Sequence, residues 1–208
     1  MGGTEIDDQA SEDLLLPQEV LLSAGVHIGT RVKMRDMEPY IYKVRPDGLF
    51  VLDMEKMNER IKVAAAFIAR FDLSKVVVAS SKRYGRTPVS KFCELTGAMP
   101  LLGRFTSGTF TNPSYSGYFE PVAVLVTDAL ADDQIVEEAA AVGVPVIALC
   151  STDNTLSNVD LIIPVNNKGR RSLAVAYWLL CREVKRERNE LPPDVDLPVP
   201  IDEFETSL

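Results

Sequence analysis

In this chain of 208 residues the side chains able to do chemistry are of four kinds: carboxylates after apolar runs, one cysteine ending such a run, a single histidine, and clusters of lysine and arginine between runs. Asp53, Asp128 and Asp153 sit at or near the ends of apolar runs, where carboxylates could hold Mg²⁺. Helix capping and turn formation use the same residue at the same place, and Asp53 and Asp128 fit that role. No second liganding pattern accompanies them, so neither a metal nor a cofactor is expected. Cys150 as nucleophile with His27 as base is a weak match, because Cys150 continues an apolar run and His27 lies between Val26 and Ile28. Neither GxGxxG nor GxxxxGK[ST] follows any apolar run, which removes the common phosphate loops of nucleotide enzymes.

The basic residues form a better constellation. Arg31, Lys33 and Arg35 follow Thr30 in one segment; Lys82, Arg83, Arg86 and Arg104 make a second group; Lys168, Arg170 and Arg171 a third. Each group falls on a predicted loop or helix start, where side-chain charge and free backbone N–H groups can jointly hold phosphates. Gly103 to Pro113 (GRFTSGTFTNP) adds short hydroxyl and amide donors, including Thr109 and Asn112, with reach for phosphate or a ribose 2′-OH. A fourth group, Arg182, Lys185, Arg186 and Arg188, lies on the last predicted helix. For any one group a solvated surface explains the charges as well as nucleic acid does, and both readings stay open at this point.

The elements that must position these groups are those of an α/β fold. Val122 to Val126 and Val144 to Leu149 read as buried parallel strands. Between them Asp132 is placed to cap a helix with Ile135, Val136, Ala139 and Ala140 on one face, ended by Gly143. Before this βαβ unit come a short helix ended by Gly25, a hairpin turning at Arg45 to Gly48, and a long helix capped by Asp53 with Met57, Ile61, Ala64, Ala65 and Ile68 inward. Lys75 to Ala79 is the next strand, Ser80 to Arg86 the loop at its carboxyl end, and Val89, Phe92, Cys93 and Thr96 a helix stripe. Met99 to Leu102 is a short strand, and Gly103 to Pro113 an irregular loop expected to stay out of the core. Leu161 to Pro164 is the last strand, followed by a helix with Leu173, Tyr177, Leu180, Cys181 and Val184 inward.

The formal charge of −8 argues against a polyanion partner only until it is mapped. Residues 1–13 and 189–208 hold eleven carboxylates and no lysine or arginine, leaving 22 basic against 19 acidic side chains in the body, a net of +3. The expected organisation is an acidic, disordered segment over 1–13, one α/β domain over 14–188, and an acidic Pro-rich tail over 189–208 that would dock through Leu197, Ile201 and Phe204. No apolar run approaches a membrane span, and residues 1–13 lack the basic and apolar pattern of a signal peptide, so a soluble, cytoplasmic protein is expected. Cys93, Cys150 and Cys181 are isolated and read as buried small hydrophobes.

LLSAGVHIGT, SSKRYGRTPVSKF, GRFTSGTFTNP and DNTLSNVDLIIPVNNKGRRSLAVAYWLL, together with PVAVLVTD and GVPVIALC, carry a resemblance through nearly the whole body. The chain resembles the S-two family of small-subunit ribosomal proteins, in its archaeal and eukaryotic branch. The resemblance implies a flavodoxin-like three-layer α/β/α sandwich around a five-stranded parallel sheet. It implies a non-catalytic structural protein of the small ribosomal subunit that binds rRNA, on the solvent side near the junction of head and body. Neighbouring ribosomal proteins are implied as partners, the acidic tail being their contact. The long helical hairpin of bacterial members is missing, because Asp53 leads through one helix straight to the Lys75 strand. The alternative is a small-molecule or nucleotide-binding α/β enzyme with Asp128 and Asp153 at the sheet's carboxyl edge.

Overall fold

A computed structural model describes residues 14–207, so the expectation of disorder over 1–13 lies outside the described residues. Seven strands and five α-helices follow in order: α1 (Gln18–Ala24), β1 (Ile41–Val44), β2 (Phe50–Leu52), α2 (Met54–Ala69), β3 (Val76–Ser80), α3 (Arg83–Thr96), β4 (Met99–Leu102), β5 (Ala123–Val126), α4 (Asp133–Ala141), β6 (Val146–Cys150), β7 (Leu161–Pro164) and α5 (Arg170–Glu187). β1 and β2 form an antiparallel hairpin, and the other five strands form one parallel sheet in the order β4-β3-β5-β6-β7. That is the doubly wound flavodoxin-like order, with its reversal point between β3 and β5.

The two-residue period of the strands divides the core. Val76, Val78, Leu125, Ile147 and Leu149 face α2, α3 and α5, while Val77, Ala79, Val124, Val126 and Ala148 face α4. On the α4 side the sequence reading of Gly103 to Pro113 needs correction. Phe105 and Phe110 of that loop are buried in the core, their ring centroids 5.3 Å apart. They fill the space beside α4 that a second crossover helix would fill. A loop without helical period can therefore supply core, provided that its polar backbone is satisfied. Glu138 of α4 satisfies it here, its carboxylate accepting from the Gly108 and Phe110 N–H groups at 2.6 and 3.2 Å and from the Ser107 hydroxyl at 3.1 Å.

Local signals explain most of the remaining elements. Asp53 caps α2, accepting from the Glu55 and Lys56 N–H groups at 3.0 and 3.3 Å. Asp132 precedes α4 but makes no side-chain cap; its carboxylate instead accepts the Ser81 N–H at 2.8 Å, across the sheet's reversal point. α5 buries residues all round its circumference, because the acidic C-terminal segment covers its outer side. Phe204 is fully buried and Leu197 nearly so, the Trp178 indole N–H donates to the Val199 carbonyl at 2.8 Å, and Arg182, itself buried, donates to Asp196 and to the Leu15 carbonyl. Arg182 is thus an internal strut and not part of a solvated basic face.

Candidate nucleic-acid interface at the carboxyl edge of the sheet

All five parallel strands end on one edge, and the segments that follow them carry most of the basic residues named above. The segment Arg31–Arg35 reaches that edge from elsewhere. His27 to Thr30 runs antiparallel to β2, with the Gly29 N–H on the Phe50 carbonyl at 2.9 Å and the Phe50 N–H on the Thr30 carbonyl at 3.0 Å. Thr152, just beyond β6, then fastens it. Its hydroxyl accepts the Thr30 N–H and donates to the Val32 carbonyl, each at 2.9 Å, while its carbonyl accepts the Met34 N–H at 2.8 Å. A side chain on Gly29 would lie 2.6 Å from Thr152 and 2.8 Å from the Phe50 carbonyl, so only glycine permits this approach. Asn166, beyond β7, ties the preceding turn by donating from Nδ2 to the Gly25 carbonyl at 3.0 Å.

The second group differs from its sequence reading in one respect: α3 begins at Arg83, so Arg83 and Arg86 stand in its first turn and not in a loop. Arg104 follows β4, and a Cβ on Gly103 would lie 3.4 Å from the Arg86 guanidinium, so Arg86 reaches the backbone next to Arg104. Arg31, Arg35, Arg83, Arg86 and Arg104 are exposed and make no ion pair among the described residues.

The other predicted cations have partners. Lys33 pairs with Glu38, Lys82 with Asp128 and Lys168 with Asp153. Arg170 meets Glu205 at 2.6 Å, and Arg171 meets Asp202 and Glu205 at 3.1 and 3.0 Å. The last two pairs belong to the C-terminal segment. Thr109 donates its hydroxyl to the Thr106 carbonyl at 2.6 Å and is buried, and the Asn112 carboxamide oxygen accepts the Ser114 N–H at 3.1 Å. The hydroxyls read as phosphate donors are thus largely used inside the loop.

The reversal point, where open α/β sheets bind ligands, is filled by the protein itself. Asp128, almost fully buried, takes Lys82 on one oxygen and the Asn154 amide at 2.6 Å on the other. Asn154 in turn accepts from the Ser151 N–H at 2.8 Å and the Asn167 amide at 3.1 Å. A Cβ on Gly85 would lie 2.1 Å from the Ser80 hydroxyl, so the first turn of α3 packs directly on the end of β3 and only glycine fits there. Among the described residues no group of three or more His, Cys, Asp or Glu is placed to hold a metal ion. Burial, reinforced by Asp128 and Asp153, pushes the Cys150 thiol above its ordinary value, the opposite of what a nucleophile requires. Sequence reasoning missed Thr152, Asn154, Asn167 and Glu138, whose partners are remote in the chain and leave no local pattern.

Fold and edge together define a flavodoxin-like α/β protein whose ligand crevice is closed by its own side chains and whose unpaired arginines stand on the rim. The chain belongs to the family described as ribosomal protein S2, which matches residues 21–116 and 117–186. It is 54% identical over 195 residues to the small ribosomal subunit protein uS2 of Thermofilum pendens, covering 94% of this chain and 91% of that one. The uS2 proteins of Staphylothermus marinus (54%; 93% and 88% covered) and Saccharolobus solfataricus (50%; 94% and 85% covered) are similar over the same extent. Among the described residues no helix is long and apolar enough to cross a membrane.

Proposed function

We propose that this chain is a structural constituent of the small ribosomal subunit that grips rRNA through the rim at the carboxyl edge of its sheet, supporting subunit assembly and translation without catalysis. Family membership supports the place of action, and the observation that carries the contact surface is the set of exposed arginines without carboxylate partners. Arg31, Arg35, Arg83, Arg86 and Arg104 are the primary phosphate contacts, since a guanidinium offers planar, paired donors to a phosphate. Lys33, Lys82 and Lys168 sit beside them with carboxylate partners and contribute less. Arg170 and Arg171 are committed to the C-terminal segment, whose outward carboxylates would meet neighbouring ribosomal proteins and be repelled by phosphate.

The enzyme alternative would need an open crevice near Asp128 and Asp153, and both carboxylates are engaged by lysines. Sucrose-gradient fractionation of native cell extract tests the proposal. The protein should travel with small subunits and be stripped by high salt; a protein found wholly in the soluble fraction would contradict it.

A further inference from the structure

A cleft of 650 Å³ opens between α1 and the β1–β2 hairpin, within the roughly 300–1,000 Å³ typical of ligand sites. It is lined in part by Gln18, His27, Tyr42, Lys43, Arg45 and Glu55. Tyr42 is 67% exposed, an aromatic ring whose Lys43 neighbour lies 5.4 Å from its centroid and which buries little of itself within the chain. His27 presents a buried Nδ1 without a hydrogen-bond partner among the described residues. Burial, then the Arg45 and Lys43 charges, hold this imidazole below its ordinary value of 6.5, so it is neutral at pH 7 and able to accept or donate one hydrogen bond. Arg45 is held only by exposed Asp47 at 3.2 Å, a surface pair that exchanges at little cost.

An exposed ring, two cations and three side chains with hydrogen-bonding edges match the way proteins take a splayed nucleotide: base on the ring, phosphate on the cations, base edge on polar groups. We propose that this cleft binds one unpaired nucleotide of RNA, with its base stacked on Tyr42, its phosphate on Lys43 and Arg45, and its base edge against His27, Gln18 and Glu55. The source of the nucleotide rests on the rRNA reading above, but the site is separate from the arginine rim. A peptide strand is the less favoured occupant, because it would leave the stacking face of Tyr42 unused.

The test is a titration of the full chain with each of the four nucleoside 5′-monophosphates, followed by NMR at the Tyr42 and His27 resonances, with inorganic phosphate as the parallel probe. Saturable shifts with at least one nucleotide, weakened about 5- to 150-fold by Tyr42→Ala and retained in Tyr42→Phe, are expected from the strength of base–aromatic stacking. Equal response to phosphate alone would mean anion attraction only and overturn the proposal. So would resonances that ignore every nucleotide but move when residues 1–12 are removed, since the cleft would then belong to the chain's own acidic segment. In a second arm, Tyr42→Ala should weaken binding of small-subunit rRNA. If the unaltered protein fails to bind that rRNA the proposed function falls, while the mononucleotide titration still decides the cleft. If rRNA binds and Tyr42→Ala changes neither arm, the cleft proposal alone falls.

Discussion

Two stretches of helix N-terminus carry paired arginines in this molecule, and they have opposite surroundings. At the start of α3, Arg83 and Arg86 stand exposed beside Arg104 with no carboxylate partner among the described residues. At the start of α5, Arg170 and Arg171 are covered by Asp202 and Glu205 of the C-terminal segment. The same residue type in the first turn of a helix therefore stands unpaired in one place and fastens the C-terminal segment in the other. What separates them is where the acidic chain end travels, and that is set by apolar docking. Phe204 and Leu197 pack on α5 and bring Glu205 to the two guanidinium groups.

The difference can be broken by removing the anchor. Phe204→Ala should cost about 3–5 kcal/mol, the usual loss for a buried phenylalanine. For a chain of this size that lowers the melting temperature by roughly 10 °C. An unchanged melt would mean that the segment does not pack, and Arg170 and Arg171 would then count as free cations. Lys82→Ala comes next. It leaves the Asp128 carboxylate, only 4% exposed, without its ammonium partner and should cost about 1–3 kcal/mol by denaturant titration. Arg86→Ala, the exposed counterpart, should leave the unfolding midpoint unmoved; equal losses would show that burial does not distinguish the two.

Smaller effects sharpen the contrast. Arg171→Ala removes the ion pairs of a half-exposed guanidinium with Asp202 and Glu205 and should cost about 0–1 kcal/mol, a loss that shrinks as salt is raised. The least effect is expected from Asp132→Asn. Burial, partly offset by the hydrogen bonds from Ser81, holds this carboxyl above its ordinary 3.8. A raised folded value means that the protonated form is favoured by folding, so its stability contribution is complete below 3.8 and fades as pH rises through the raised value. The melting temperature of the unaltered protein relative to Asp132→Asn should therefore fall across that interval, and a flat difference would contradict the raised value.

The sequence made the framework legible where signals are local. The Asp53 cap, the turn at Arg45 to Gly48, the α2 stripe from Met57 to Ile68 and the apolar strands all reappear, because capping, turn chemistry and hydrophobic period act over a few residues. Ile201, Leu197 and Phe204 could be named as docking residues by type, but not their target. Phe105 and Phe110 carry no such signal, because a loop's contribution to the core has no period. Asp132 shows the limit most clearly: its position before α4 is that of a cap, yet Ser81, 51 residues away, offers the better-placed N–H. At the rim, the identity of the basic residues was readable, whereas their division into paired and unpaired depends on Glu38, Asp128, Asp153, Asp202 and Glu205, most of which arrive from distant segments.

The salt dependence of rRNA binding tests the central claim most directly. Each phosphate contact releases roughly 0.7–0.9 of a counterion, so replacing Arg83, Arg86 and Arg104 together by Ala should reduce the magnitude of the log–log salt slope by about two to three units. Replacing Arg170 and Arg171 should change it by less than about one unit, because their charges are already neutralised within the protein. The exposed Lys62 on α2, replaced by Ala, serves as the reference for non-specific attraction. A rim triple variant that leaves the slope unchanged, or one that does no more than Lys62→Ala per charge removed, would contradict the arginine rim as the RNA-contact surface.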